Sequence, residues 1–240
     1  MESDRYFYST AAALILVIMF IGFLPFYTSG HGASGRVIAP AIFPVVLVHG
    51  LAITAWYVRS LVQSLLITMK NRRLHMKLGW SAVGIALIIA VSGVMVAVCS
   101  ALGAKDFIFF GMAYYPDFLL VMLVEVAVFT LFVAAGLQLR KQPAKHRAMM
   151  LLASLSLLLG ATTRIPVLVE LFGGHSSRVA FFGPVFVLAV IIFVMRTLMT
   201  RTFERWFAAG FAFMVVLYLA AEQLSRTDAW RHLANALLMS

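Results

Sequence analysis

The sequence predicts an all-α integral membrane protein of about seven transmembrane helices. Of the 240 residues, 63% are hydrophobic and only 12% are charged, whereas charged residues make up about a quarter of a typical soluble domain. In a bilayer every backbone polar group must find its partner within the protein, so only helices and closed β-barrels can span it. Barrel strands alternate polar and apolar residues, but segments such as 11–20 and 180–195 are apolar on every side. These observations favour helices.

Each predicted span is an apolar segment of roughly the length that a bilayer requires. A helix needs about 20 predominantly apolar residues to cross the membrane. We interpret spans two to five as a four-helix core and the other spans as helices packed around it. In chain order the seven spans are residues 9–28, 40–67, 78–102, 117–139, 147–168, 180–199 and 206–223.

The positions of the basic residues orient these spans. Most Lys and Arg residues lie between spans two and three, four and five, and six and seven, whereas the opposite connectors hold only Arg36, Lys105 and Arg178. Short loops rich in Lys and Arg stay in the cytoplasm, which places the N-terminus inside and the C-terminus outside. The net charge of +10 follows from this loop bias, so it does not indicate a nucleic-acid partner.

One transmembrane domain, residues 1–240, accounts for the whole chain. No linker rich in Pro, Gly or Ser and no low-complexity tract divides the sequence. The tail, residues 227–240, has Trp230, Leu233 and Leu237 at helical spacing beside charged residues. This pattern predicts a short amphipathic helix on the outer surface of the membrane.

Two predicted hairpins carry matching features in matching order. In the first, His49 lies in a helix that ends at a basic turn, and His75 starts the next span. In the second, Glu125 lies in a helix that ends at a basic turn, and His146 starts the next span. Both hairpins cross the membrane in the same sense, which indicates a parallel internal repeat. In this repeat His75 matches His146, and Glu125 takes the place of His49.

Three ionisable side chains fall at a similar depth inside predicted spans. At a rise of about 1.5 Å per residue, His49 and Glu125 lie roughly 12–14 Å below the outer surface, and Arg164 lies near that level. Ionisable groups inside a span are costly, so they mark candidate functional sites. We call His49, Glu125 and Arg164 the outer polar cluster. Three further polar side chains would line its mouth: Tyr114, Tyr115 and Asp117.

Two interpretations of the outer polar cluster stay open. In the functional one, the cluster opens outwards and takes a ligand, a metal ion or a proton. In the structural one, Glu125 and Arg164 form an ion pair and His49 binds a backbone carbonyl. One imidazole and one carboxylate are too few for a closed metal site, which has about four ligands.

His75 and His146 lie at the cytoplasmic ends of spans three and five. Paired imidazoles on neighbouring helices are a common way for a helical bundle to bind a b-type haem. The pair therefore predicts a haem b site with His75 and His146 as axial ligands. The alternative is that both rings lie at the membrane interface, solvated or bound to lipid phosphate.

Short segments resemble a broad group of poorly characterised bacterial multi-helix membrane proteins with a His-Arg-x-Leu-Gly type of helix start. The segments are residues 48–50 (Val-His-Gly), 74–80 (Leu-His-Met-Lys-Leu-Gly-Trp) and 145–153 (Lys-His-Arg-Ala-Met-Met-Leu-Leu-Ala). The resemblance implies a location in the bacterial inner (cytoplasmic) membrane.

More distantly, spans two to five are similar to the core of the transmembrane b-type cytochromes, which use paired His residues on alternate helices. The resemblance implies that His75 and His146 are the cytoplasmic haem ligands and that His49 is half of an outer pair. Glu125 stands where the second outer His of that core would be, a departure that leaves a complete ligand pair for one haem.

Two functions follow as hypotheses. The first is an electron-transfer protein, a component of a membrane oxidoreductase, in which the outer polar cluster handles protons or a quinone-like electron carrier. The second is a non-enzymatic module, either a small-solute carrier or an accessory subunit bound to other membrane subunits. Hydrolase or transferase chemistry is not indicated, because the sequence has no phosphate-binding loop, no Cys pair and no metal motif of suitable spacing.

Overall fold

A computed structural model describes residues 2–32, 37–103, 110–112 and 115–239. Within these residues the chain forms eleven helical segments, and an isolated bridge joins His31 to Val37. The all-α prediction is confirmed for this part of the chain. The helices are α1 (Glu2–Ser29), α2 (Phe43–Thr68), α3 (Arg72–Gly79), α4 (Ser81–Gly103), α5 (Tyr115–Gln138), α6 (Pro143–Ser156), α7 (Leu159–Thr162), α8 (Pro166–Leu171), α9 (Arg178–Thr200), α10 (Arg205–Ser225) and α11 (Asp228–Met239).

Within the described ranges, six helical stretches are long and apolar enough to cross a membrane. Large apolar side chains such as Leu87 and Val91 are exposed on α4, as expected for a helix that faces lipid rather than water. Predicted spans one to four, six and seven each correspond to one of these stretches. The stretches are Tyr6–Ser29, Phe43–Thr68, Arg72–Leu102, Asp117–Gln138, Arg178–Thr200 and Arg205–Ser225.

The structure differs from the sequence prediction at span five, residues 147–168, which is broken into α6, α7 and α8. After α6 the helical hydrogen bonding changes to a tighter turn. The backbone N–H of Leu158 donates to the carbonyl of Leu155, three residues earlier, at 3.0 Å. The second break precedes Pro166, where the backbone of Ile165 is extended, with φ −97° and ψ 104°. Proline disfavours a helical conformation in the residue before it, which explains the second break.

The N-terminal half of α1 meets the C-terminal ends of α2 and α9. The hydroxyl oxygens of Ser9 and Thr68 are 2.8 Å apart, and Arg196 donates from Nε to the Tyr8 hydroxyl at 3.0 Å. Connectors rich in Lys and Arg follow the helices that end here. We call this the basic end of the bundle.

The opposite end holds the start of α9 and the end of α10. Arg178 donates from Nη2 to the Gly111 carbonyl at 3.1 Å, and its Nη1 forms an ion pair with Glu222. The tail helix α11 packs at this end against α5. We call it the tail end.

The broken segment from α6 to α8 runs from the basic end to the tail end. Near its start, the His146 ring lies 6.5 Å from that of His75. Beyond α8, the Ser176 carbonyl packs so closely on Gly111 that a Cβ atom there would lie 2.6 Å from its oxygen. On the way, α6 packs against α5 and α10, and α7 packs against α1 and α9.

The helices α2, α4, α5 and α6 pack against one another in that order. Trp56 and Tyr57 of α2 are buried and reach across to Ser154 of α6. The four helices therefore form a closed core, with α10 against α5 and α6, and α1 against α2 and α7. His49, Glu125 and His146 lie on helices of this core, whereas His75 lies on α3 and Arg164 in the connector between α7 and α8.

Candidate functional site

His75 and His146 occupy equivalent positions at the basic end. Each is the fourth residue of its helix, α3 or α6. Their ring centroids are 6.5 Å apart and their ring planes are perpendicular, at 90°. Both side chains are half-buried. The structure thus brings together two imidazoles that are 71 positions apart in the chain.

Both rings are held by the helix that precedes them in the chain. His146 directs Nδ1 at the Gly136 carbonyl of α5, 2.7 Å away. A carbonyl can only accept a hydrogen bond, so Nδ1 of His146 carries the hydrogen and Nε2 keeps its lone pair. Such a contact is the usual way in which a ligating histidine is oriented.

Gln63 of α2 contacts the His75 ring. Nδ1 of His75 lies 3.2 Å from the Gln63 backbone carbonyl and 2.6 Å from the nitrogen of the Gln63 side-chain amide. It makes one of these hydrogen bonds at a time, because it donates to the carbonyl and accepts from the amide nitrogen. Gln63 is itself buried. The orientation of the His75 ring is therefore fixed by a buried residue rather than by solvent.

His49 of the outer polar cluster faces α4. Its Nδ1 lies 2.9 Å from the Ser92 hydroxyl. The neighbouring Gly93 allows this approach, because a Cβ atom there would lie 3.1 Å from Cε1 of His49. Sequence reasoning missed Ser92 and Gly93, since a serine beside a glycine is unremarkable in an apolar span.

Arg164 lies in the short connector between α7 and α8. Its Nη1 donates to the Gly160 carbonyl, and its guanidinium carbon lies 4.6 Å from the centroid of the Phe23 ring of α1. Its Nε atom is buried and has no hydrogen-bond partner in the part of the chain that the structure describes. Arg164 therefore keeps one buried donor unused.

Glu125 of α5 is half-buried. Its charge interacts with that of Arg164, and the charge of Arg164 in turn reaches His49. The three side chains therefore share one region. Among the described residues, however, Glu125 has neither a hydrogen bond nor an ion pair, so the contact expected from the structural interpretation is not formed. His49 likewise binds a hydroxyl instead of a backbone carbonyl.

Two buried tyrosines donate hydrogen bonds to backbone carbonyls at the break between α6 and α7. Tyr57 of α2 donates to the Ser154 carbonyl at 2.9 Å, and Tyr218 of α10 donates to the Ser156 carbonyl at 3.3 Å. Both hydroxyls also lie within electrostatic reach of Glu125. Carbonyls near the end of a helix need partners outside it, and these hydroxyls supply them. Sequence reasoning missed both residues, although a tyrosine deep in an apolar span is a usable signal.

Asp117 does not line a mouth of the outer polar cluster, so that prediction is wrong. It is only 1% exposed, and its two carboxylate oxygens accept from Arg231 of α11 at 3.2 and 3.3 Å. The pair fixes the tail helix on the start of α5. Tyr114 and the side chain of Tyr115 lie outside the described residues.

Arrangements that would hold a metal ion through three or more His, Cys, Asp or Glu side chains are not found among the described residues. Comparisons of this chain with protein-family models, with curated proteins and with solved structures find no match. Its site residues are therefore interpreted from their own geometry and chemistry.

Proposed function

We propose that this protein is a membrane electron-transfer protein that holds one haem b between His75 and His146. The observation that carries the proposal is the geometry of this pair, with ring centroids 6.5 Å apart and both rings held by the preceding helix. An interfacial histidine that only contacts water or lipid phosphate does not need such an arrangement.

The spacing of the rings suits a shared metal atom. Bonds between a metal and an imidazole nitrogen are about 2 Å long, so two imidazoles on opposite sides of one metal atom have centroids roughly 6 Å apart. The observed 6.5 Å is close to this value. Both side chains are half-buried, which leaves one edge of the pair open at the surface of the bundle.

Haem b, when bound, supplies reversible one-electron transfer. His75 and His146 would hold it through their ring nitrogens. The Gly136 carbonyl fixes the orientation of His146 and Gln63 fixes that of His75. Backbone and buried groups that orient ligating imidazoles also raise their basicity.

Matching contacts in the two hairpins support an internal repeat. His75 reaches back to a carbonyl near the end of α2, and His146 reaches back to one near the end of α5. Each histidine is also the fourth residue of its helix. We propose that this repetition places one ligand on each hairpin.

We further propose that α6, α7 and α8 together make a seventh crossing, in addition to the six long helical stretches. From 143 to 162 the segment has 20 residues, which at about 1.5 Å per residue reach roughly 30 Å, the thickness of the hydrocarbon layer. With seven crossings and the basic end in the cytoplasm, the tail helix lies outside. The proposed location is the bacterial inner membrane.

An absorption spectrum of the purified protein, expressed with added haem precursor, tests the haem proposal. We expect a Soret band and, after reduction with dithionite, the sharp visible bands of a six-coordinate b-type haem. Substituting His75→Ala should remove this six-coordinate spectrum, whereas His232→Ala in α11 should leave it unchanged. A well-folded wild-type protein without a Soret band would refute the proposal.

A further inference from the structure

Trp206, at the start of α10, has two cationic side chains against its ring. Nζ of Lys145 in α6 lies 4.3 Å from the ring centroid, and the guanidinium carbon of Arg205 lies 5.0 Å from it. Both positive charges therefore lie within 5.0 Å of one point, although they come from different helices. We call Lys145, Arg205 and Trp206 the cationic site.

No carboxylate neutralises these two charges among the described residues. The acidic residue next to Arg205 in the chain is Glu204, and its carboxylate is paired with Arg196 at 2.8 Å. The indole ring of Trp206 attracts cations, but it carries no net charge of its own. The cationic site therefore keeps a positive charge that an anion would compensate.

The position of the two cations in their helices adds to this excess of positive charge. Lys145 lies in the first turn of α6 and Arg205 in the first turn of α10, and neither turn contains an acidic residue. The first turn is the positive end of the helix dipole, where cations are unfavourable and anions are stabilised. Helix stability alone therefore does not explain why both cations are here.

The cationic site is open at the surface of the bundle. Arg205 is exposed, and Lys145 and Trp206 are half-buried, so an anion can reach the cations without a cavity inside the protein. Tryptophan and basic residues at the ends of membrane-spanning helices typically lie at the level of the lipid headgroups. The anion at this site is therefore expected to be part of the membrane.

An exposed apolar face continues from Trp206 along α10 towards the tail end. Ala209, Phe213 and Val216 follow Trp206 at spacings of three and four residues, which places them on one face of the helix. Phe213 is 47% exposed and Val216 is 62% exposed. A soluble anion would make no use of this face, whereas the acyl chains of a lipid would cover it.

From these observations we infer that the cationic site binds one anionic phospholipid, with its phosphodiester beside Lys145 and Arg205 and its acyl chains along the exposed face of α10. The guanidinium of Arg205 offers a planar pair of donors to phosphate oxygens, and Lys145 adds a point charge. A zwitterionic headgroup is a poorer ligand, because its ammonium group would add a third positive charge.

This site is separate from the histidine pair. Lys145 precedes His146 in α6, but Lys145 points to α10 whereas His146 contacts α5. Lipid binding at the cationic site requires no haem.

Lipid titrations of the full-length protein in a neutral detergent, followed by native mass spectrometry, test the inference. The probes are phosphatidylglycerol and phosphatidylcholine with identical acyl chains. We expect one phosphatidylglycerol per chain to bind more tightly than phosphatidylcholine. Lys145→Gln and Arg205→Gln should each weaken phosphatidylglycerol binding about fivefold, the usual contribution of one basic residue near an anionic membrane surface, and should leave phosphatidylcholine binding unchanged.

The matched control is the double variant Arg73→Gln/Lys77→Gln, which removes one arginine and one lysine from exposed positions of α3. It should bind phosphatidylglycerol as the wild-type protein does, whereas Lys145→Gln/Arg205→Gln should not distinguish the two lipids. A second measurement uses the unaltered protein, in case a variant does not fold. Phosphatidylglycerol with a photoreactive group on its headgroup should crosslink to residues 143–149 or 203–209.

Equal affinities of the wild-type protein for the two lipids would overturn the inference, as would unchanged phosphatidylglycerol binding in folded Lys145→Gln/Arg205→Gln. Crosslinks confined to other segments would also overturn it. Inorganic phosphate that displaces the lipid at equal concentration would indicate a site for a soluble anion and would overturn it as well. All of these measurements use protein without added haem, so their outcome and that of the haem proposal are independent.

Discussion

The histidine pair and the outer polar cluster are two polar groups in the same helical bundle, and they use their hydrogen-bonding capacity in opposite ways. His75 and His146 are close to each other, perpendicular, and each held by the preceding helix. Glu125 and Arg164 lie near each other without meeting, and a buried donor of Arg164 has no partner among the described residues.

The difference indicates what each region is built to hold. Two closely spaced rings, each oriented by a neighbouring helix, suit a single atom held between them, as a coordinated metal requires. The donors and acceptors of the outer polar cluster instead come from three separate elements, and no hydrogen bond joins Glu125 to Arg164 among the described residues. The cluster includes a residue at a helix break, whereas the histidine pair lies at the starts of two regular helices.

The largest expected effect separates the two regions completely. His146→Ala removes one of the two proposed haem ligands and should abolish the six-coordinate haem spectrum, while Glu125→Gln should give the same spectrum as the wild-type protein. Absorption spectra of both purified variants, with equal amounts of folded protein confirmed by gel filtration, check this prediction. Loss of the spectrum in both variants would show that the two regions are not independent.

The next effect concerns the close approach of α1 and α7. Gly22 lies directly against the Ala161 backbone, so that a Cβ atom would overlap its carbonyl oxygen. Gly22→Ala should force the helices apart and lower the free energy of unfolding by about 1–3 kcal/mol. Thermal denaturation measures this change.

Gly84→Ala in α4 is the control for this substitution, because nothing lies within 4 Å of the added Cβ atom. We expect its stability to equal or slightly exceed that of wild type, since alanine favours helix more than glycine does. Equal stabilities of the two variants would mean that α1 and α7 do not approach as closely as the structure has them.

The sequence predicts which segments are helical, but it does not predict where a helix is interrupted. Hydropathy and loop charge report the composition of each segment, and they were sufficient for the long helices and for the equivalent positions of His75 and His146. They do not report helix continuity. The segment around Leu157 and Leu158 is uniformly apolar, and its break depends on hydroxyls from Tyr57 and Tyr218 on distant helices.

For the outer polar cluster, the sequence predicts only that its three side chains lie at a similar depth in the membrane. Counting residues along helices places His49, Glu125 and Arg164 in one region, but it cannot choose partners, because pairing depends on which faces of the helices meet. For the same reason Asp117 was assigned to the mouth of the cluster, while in the structure it binds Arg231 of the tail helix.

A smaller effect is expected from the tyrosines at the helix break. Tyr57→Phe removes the hydroxyl that donates to the Ser154 carbonyl and should lower the free energy of unfolding by about 0.6–2 kcal/mol. The change should leave the haem spectrum unaltered. Tyr6→Phe, on an exposed side chain, is the matched control. A Tyr57→Phe protein as stable as wild type would argue against a role for this hydroxyl in the break.

The smallest effect is expected at the tail. Arg231→Gln removes the partner of the buried Asp117 carboxylate and should loosen α11, so that hydrogen exchange in Asp228–Met239 becomes faster. Arg73→Gln, on an exposed side chain of α3, should not change this exchange. Neither substitution should affect haem absorption. Unchanged protection of the tail would mean that apolar packing alone holds it.

The electron paramagnetic resonance spectrum of the oxidised, haem-loaded protein tests the central claim most directly. The splitting of the iron orbitals depends on the angle between the two axial imidazole planes, and the planes of His75 and His146 are at 90°. The account predicts the highly anisotropic low-spin signal of perpendicular imidazoles, absent from His75→Ala and His146→Ala. A high-spin signal in the wild-type protein, a rhombic signal typical of parallel imidazoles, or a signal that survives both substitutions would contradict it.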